Sequence, residues 1–406
     1  MKSNSDSAPR VALLIESSRT YGRGVLRGIA RYAHLHGPWS IFSEERELHG
    51  GIPRWLKTWK GQGIIARIED RRMARELLRW RVPVVDVLGN EPLARIPGFD
   101  TDAGAVAKLA ADFFVLAGFR DIAFCGYRGI PFSDRREAAL ASGLAQQGRK
   151  LLVCSPPLAR HPARNIQAVE QSGVAMEKVI AQWLRQQRRP LALFACNDVR
   201  ARQVLNACRA EGLKVPEEIA VMGVDNDDVL CNLCEPTLTS IQPDTEQLGY
   251  EAAALLDRQM RGEMVVAGFR QILPLGIIER DSTDVISTDD PIVVRALRFI
   301  RSRLASGIGV KEVLAEVGRS RTDLEMRFHR HLKTSVRGEL LRQRLARAES
   351  LLRQTDLRVA EVAARSGFNS GAQLCRLFRS SRQSTPGNYR LASRATRPAW
   401  DGGHGS

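Results

Sequence analysis

Over roughly its first 280 residues the chain alternates short aliphatic and β-branched runs with longer amphipathic stretches. The runs 11–15, 63–66, 84–87, 122–125, 151–153, 191–195 and 219–224 have the length and composition of buried strands. Between them, segments 24–36, 103–117, 135–147, 170–186, 199–211 and 245–261 place apolar residues with a helical period, as Val25, Ile29 and Ala33 do in the first. Strand then helix, repeated, predicts parallel sheets with helices on both faces. So long a segment exceeds one ordinary doubly wound sheet, so the expectation is two α/β lobes, with a single α/β barrel as the competing arrangement.

The pattern changes near residue 290. A polar, Asp-bearing stretch, 281–291, reads as a linker, and a helix is expected from Pro291, with Ile292, Ala296, Leu297 and Ile300 on its inner face. A repeat follows. Val310-Lys-Glu-Val-Leu-Ala-Glu-Val-Gly318 matches Val359-Ala-Glu-Val-Ala-Ala-Arg-Ser-Gly367 at an offset of 49, and the match resumes at offset 50 to pair Leu324 with Leu374 and Phe328 with Phe378. Two copies at this spacing make a tandem pair and not a solenoid. Each copy reads as a short helix stopped by Gly, a tight turn, and a second helix capped by Ser320 or Ser370, which is how a helix-turn-helix is written. The intervening 337–354 is a long amphipathic helix with Leu340, Leu341, Leu345, Ala348, Leu351 and Leu352 inward, suited to hold two reading helices about one DNA turn apart, roughly 34 Å.

Charge sharpens this division. Residues 1–290 hold 38 basic and 36 acidic residues, whereas 291–397 hold 23 basic residues, 21 of them Arg, and 8 acidic. The formal excess of +16 therefore belongs almost wholly to the last quarter, which should face a polyanion. On the two reading helices the outward candidates are Arg319, Arg321, Thr322, Glu325 and Arg330, then Asn369, Ser370, Gln373, Arg376 and Arg379. Arg can grip guanine and Asn or Gln adenine, while the rest would touch phosphate.

In an open parallel sheet, ligands meet the carboxyl ends of strands. The residues there are Glu16 to Gly24, Arg67 to Asp70, Asp100 to Asp102, Ser133 to Arg136, Asn197-Asp198 and Asp225 to Asp228. Carboxylates, amides, Arg and one Tyr suit a polyhydroxylated neutral molecule, because each hydroxyl both donates and accepts. Singly, Ser17, Asp102 and Asp198 read equally well as helix caps.

Other chemistries find little support. The third Gly after Gly22-Arg-Gly24 is Gly28, one residue late for a dinucleotide fingerprint, and no phosphate-binding G-x-x-x-x-G-K-S/T or G-x-S-x-G occurs. Cys231-Asn-Leu-Cys234 lacks the further soft ligands that zinc wants, so no metal or other cofactor is expected. No apolar run approaches the roughly 18 residues of a membrane span, the start is polar, and seven Cys is an odd count, so a reduced, cytoplasmic, non-membrane protein is expected.

Val359 to Arg390, with Gly367-Phe368, Phe378 and Thr385-Pro386-Gly-Asn-Tyr389-Arg390, resembles the AraC-type transcription regulators over about 291–393. Upstream, Gly223-Val-Asp225-Asn226, Leu238-Thr-Ser-Ile-Gln242 and Gly249-Tyr250-Glu-Ala-Ala resemble the LacI-like, periplasmic-binding-protein-type effector domain. The combination is similar to the family of xylose operon regulators and then covers nearly the whole chain. That resemblance implies a dimeric activator that responds to D-xylose or a related sugar, binds direct-repeat half-sites on double-stranded DNA and works with RNA polymerase. It places sugar contacts at Glu16, Ser18, Tyr21, Glu69, Asp102, Arg136, Asn197, Asp225 and Gln242. The domain plan it implies is a disordered start at 1–9, a sugar-sensing pair of α/β lobes at 10–282, a linker at 283–290, a tandem helix-turn-helix domain at 291–393 and a disordered tail at 394–406. The competing readings are a sugar-processing enzyme fused to a DNA-binding module, and the solute receptor of a transporter, which leaves the basic quarter unexplained.

Overall fold

The structure is a computed structural model that describes residues 8–48, 51–89, 96–154, 170, 173–266, 268–284, 290–355 and 357–395. The chain divides into two compact units, 1–285 and 286–406. The first contains strands β1 (Arg10–Leu14), β2 (Ser40–Phe42), β3 (Gly63–Ala66), β4 (Val84–Asp86), β5 (Gly98–Thr101), β6 (Asp121–Cys125), β7 (Leu151–Cys154), β8 (Leu191–Ala195), β9 (Ile219–Val224), β10 (Thr239–Gln242), β11 (Phe269–Ile272) and β12 (Gly276–Ile278). Its helices are α1 (Thr20–His36), α2 (Arg71–Leu77), α3 (Ala103–Leu116), α4 (Pro131–Ala145), α5 (Gly173–Arg185), α6 (Asp198–Ala210), α7 (Asp228–Leu233) and α8 (Thr245–Met260).

These strands make two six-stranded sheets, ordered β11-β5-β4-β3-β1-β2 and β12-β10-β9-β8-β6-β7. Among the described residues the strand pairings are parallel except β10 with β12. Two separate sheets exclude the barrel. The uniformly apolar runs 63–66, 191–195 and 219–224 are buried at every position, as strands covered on both faces must be. Five strands lack a readable pattern: β2, β5, β10, β11 and β12 are three or four residues long, and β2 and β11 are edge strands with no fully buried residue. Their place comes from a neighbour's backbone and not from their own periodicity.

The chain crosses between lobes beside Asp102, after Gln242 and before Leu275. There the Asp102 N–H donates to the Ile272 carbonyl at 2.9 Å and the Leu275 N–H to the Gln242 carbonyl at 2.8 Å, so the crossovers lie side by side. Within the first lobe α1 lies against α8 at backbone contact, since a Cβ on Gly28 would overlap the Glu246 carbonyl and one on Gly249 the Val25 carbonyl.

Domain edges differ slightly from the expected plan. The Pro9 carbonyl accepts from the Ser40 N–H at 2.8 Å, so the ordered lobe starts before residue 10; residues 1–7 lie outside the described residues. Thr283 is buried and its hydroxyl lies 2.7 Å from that of Thr239, which returns it from the linker to the second lobe. Asp290, the other end of that linker, caps the next helix; 285–289 lie outside the described residues, as does the tail beyond 395.

The second unit contains α9 (Pro291–Arg303), α10 (Val310–Val317), α11 (Arg321–Leu332), α12 (Val336–Gln354), α13 (Val359–Arg365), α14 (Gly371–Arg382) and α15 (Pro386–Ala395). The Asp290 carboxylate accepts from the Ile292 and Val293 N–H groups, with Pro291 at the first helical position. Ser320 and Ser370 cap α11 and α14 by accepting from the Asp323 and Gln373 N–H groups, both at 3.2 Å. α12 serves two cores: Val336 and Leu340 join Leu324 and Phe328, while Leu345, Ala348 and Leu352 join Leu374 and Phe378.

Gly318 and Gly367 carry φ of 64° and 78° in their turns. A Cβ on Gly367 would also overlap the Leu304 carbonyl, which belongs to the first half of the unit. The Arg344 side chain ties the halves again by donating to the Ile308 carbonyl at 2.5 Å. Gly367→Ala should therefore lower the stability of this unit by about 1–3 kcal/mol and weaken DNA binding, whereas Gly318→Ala meets no neighbour and should cost less. Chemical denaturation of the two variants side by side checks the order.

Candidate functional site

A cavity opens between the two lobes of the first unit, with an empty volume of about 730 Å³ counted out to its solvent mouth. The first lobe contributes Arg19, Thr20, Tyr21, Arg67, Asp100 and Thr101 from the ends of β1, β3 and β5. Opposite stand Arg136, Asn197, Asp198, Asp225 and Asp227, with Glu170, from the second lobe. Leu48, Leu88, Phe132, Val199 and Leu230 supply apolar wall. A few convergent polar groups on an apolar surface is the make-up of a small-molecule site.

Three cations at this cleft are paired with carboxylates. Arg67 pairs with Glu16, Arg19 reaches across the cleft to Glu170, and Arg135 crosses it to Asp100 at 2.6 Å and to the Gly89 carbonyl at 3.1 Å. Arg136 is buried, donates to the Cys196 carbonyl and lies 5.3 Å from the centre of the Phe132 ring. Its charge opposes the burial that pushes the Asp225 carboxyl up to about 6. Asp225 and Asn226 both have positive φ, 110° and 46°, a conformation that Asp and Asn tolerate better than other side-chain-bearing residues. The turn holds because the Asn226 side chain accepts from Arg280 at 2.8 Å and its N–H donates to Ser240 at 3.0 Å. Backbone strain of this kind concentrates where a side chain must be aimed.

Asp198 is a fastener beneath that turn. Its carboxylate accepts from the Ser240 hydroxyl at 2.6 Å, the Asp227 N–H at 2.9 Å and the Cys231 thiol at 3.4 Å, while burial and then Asp225 push its carboxyl up to about 8. In the other lobe Asp86 accepts from the Ile68, Leu88 and Gly89 N–H groups, yet burial outweighs them and raises it to about 7. Both carboxyls hold a proton in the folded chain at pH values where the unfolded chain has lost it. Their stabilisation is present below about pH 4 and lost as pH rises toward 7 to 8. The melting temperature of the wild type relative to Asp86→Asn should therefore fall between pH 4 and 7; a constant difference would refute the assignment.

Of the residues marked as sugar contacts, Tyr21, Arg136, Asn197 and Asp225 line the cavity. Five do not. Glu16 is buried behind Arg67, as its ion partner, and with Glu69 it borders a smaller adjoining pocket. Ser18 is exposed. Asp102 caps α3 by accepting from the Ala105 N–H at 2.9 Å, and Gln242 ends β10 at a crossover, accepting from Asn226 at 3.3 Å. Arg67, Asp100, Thr101 and Glu170 line the site without having been singled out as contacts; three of them stand in the strand-end groups, whereas Glu170 arrives from outside any strand end. Among the described residues the Tyr21 hydroxyl and Arg67 Nε are buried without a hydrogen-bond partner. Polar atoms so placed at a cavity wall are ready for a ligand's hydroxyls.

The second unit presents a basic face. Arg319, Arg321, Thr322, Arg330, Asn369, Arg376 and Arg379 are exposed, and among the described residues none of these Arg side chains forms an ion pair. Three other candidates are occupied in the protein. Glu325 accepts from the Val336 N–H at 3.1 Å, Ser370 is a cap, and Gln373 turns back to accept from the Asn369 N–H at 2.8 Å. Met326 and His329 are also exposed on α11 and lie outside the expected set.

Residues 10–94 match the family described as XylR N-terminal domain, 111–283 the periplasmic binding protein-like domain, and 313–392 a helix-turn-helix domain. The xylose operon regulatory protein of Escherichia coli strain K12 is 29% identical over 389 residues, covering 94% of this chain and 96% of its own length. Its counterpart in Haemophilus influenzae strain Rd is 28% identical over 391 residues, with coverage of 94% and 98%. The solved structure of a xylose-binding transcription activator, XylR, is 30% identical and aligns with a TM-score of 0.59 over 95% of this chain and 99% of that one.

Proposed function

The chain belongs to the family of XylR-type transcription regulators, which join a sugar-binding domain to a helix-turn-helix DNA-binding domain; from that premise we propose that its effector is a neutral sugar of pentose size, D-xylose or a near relative. The observation that carries the choice is charge balance in the cleft: Arg19, Arg67 and Arg135 are already paired with carboxylates, and Arg136 donates to the Cys196 carbonyl while its charge is offset by that of Asp225, which favours a neutral ligand over a phosphate. What remains are the unpartnered Tyr21 hydroxyl and Arg67 Nε and the Asp225 carboxylate, which match hydroxyls that donate and accept.

Bound sugar would bridge the lobes alongside the Arg19 and Arg135 links and favour their closure. It can shift DNA binding only by its differential affinity for the two arrangements, typically about 1–3 kcal/mol. In this reading the protein is a cytoplasmic homodimer that activates transcription through RNA polymerase at paired half-sites, with no catalytic step. Calorimetric titration of the full chain with D-xylose, other pentoses, hexoses and sugar phosphates tests the effector. Saturable heat with a free pentose is the expected result; binding of phosphorylated sugars alone would overturn it.

A further inference from the structure

The duplicated motif places unlike residues at the same point of its two reading helices. Leu324 and Phe328 of α11 are fully buried in the first core, and Leu374 and Phe378 of α14 in the second. At about 100° of rotation per residue, the position midway between each pair faces directly away from the core. That position is Met326 in α11 and Arg376 in α14. Met326 is 61% exposed and Arg376 is exposed. Thr322, His329 and Arg330 flank the methionine and Arg379 the arginine, all exposed.

We propose that the two helices read different bases, α11 a thymine through Met326 and α14 a guanine through Arg376. The inference rests on the DNA-binding reading above and deepens it. A methionine at the centre of a face bordered by arginines offers no hydrogen bond to guanine or adenine. Its thioether methyl, with the Thr322 methyl one turn earlier, matches the C5-methyl that only thymine shows in the major groove. Arg376 offers the two-pronged donor that fits guanine O6 and N7. The occupant is duplex DNA because the excess charge of the chain is concentrated in this unit, and the Arg side chains around these two positions have no internal partner among the described residues.

The test uses the full chain and duplexes selected from a random library. Each thymine of the selected site is then replaced by deoxyuridine, which lacks only the methyl. One thymine in the segment read by α11 of a protomer should show a loss of about three- to five-fold with the wild type, the size expected for one buried methyl. With Met326→Ala that loss should vanish, and Arg376→Ala should relax the choice of guanine in the segment read by α14. Selected sites without a methyl-sensitive thymine, or a sensitivity that persists in Met326→Ala, would overturn the assignment alone. Failure to bind any duplex would overturn the regulator reading and this inference together.

Discussion

Asp225→Asn is expected to weaken sugar binding by about a hundred-fold and to leave sugar-free DNA binding as it is. Asn accepts the positive φ of 110° at this position, so the change removes charge without breaking the turn. What is lost is a carboxylate that lines the cavity, would accept from the proposed sugar and offsets the charge of the buried Arg136. Removing one side of such an arrangement costs about 3 kcal/mol, since the remaining charge is left buried without its partner. Arg136→Met should behave alike for the same reason. Titration calorimetry supplies the affinity, and a gel-shift assay with and without sugar supplies the response. A variant that answered to sugar as the wild type does would remove Asp225 from the site.

Affinity for DNA should fall about 10³- to 10⁵-fold when salt rises from 50 to 200 mM, the range expected for roughly 6–10 neutralised phosphates. The estimate follows from where the charge lies. The segment 291–397 holds 23 basic residues, but several are spent internally, as Arg327 is on Asp290 and Asp323, Arg295 on Glu316 and Arg382 on Glu349. Arg319, Arg321, Arg330, Arg376 and Arg379 are not, and they face outward. Truncating Arg319 or Arg330 should reduce the slope of log affinity against log salt by about one and weaken all sequences alike, if these two touch phosphate. Arg295→Ala should leave the slope unchanged because its charge is already compensated. An affinity independent of salt would contradict the assignment of this face to DNA.

How much could be read from residues alone differs between the two units. In the second, stops, caps and core positions are local: Gly318 and Gly367 adopt the left-handed turn, Ser320 and Ser370 cap, and Leu324, Phe328, Leu374 and Phe378 are buried as their spacing requires. In the first, the strongest strands were legible because strands buried on both faces are written as continuous apolar runs. The short strands β2, β5, β10, β11 and β12 were not, since their hydrogen bonds come from distant neighbours.

The site was less legible than the fold. Asp102 and Asp225 both follow strands and are the same residue type, yet one caps a helix at a crossover and the other is turned into the cleft by its positive φ. Glu16 and Arg67 lie in different strand-end groups, and only the packing of β1 against β3 reveals that they neutralise each other. Periodicity, caps, the duplicated motif and the distribution of charge are functions of a few neighbouring residues, so the sequence determined the two-unit plan, the tandem helix-turn-helix and its basic face. Which carboxylates meet a ligand, which are fasteners and which arginines remain unpaired depends on partners tens to hundreds of residues away, and that was decided only when the lobes and helices packed.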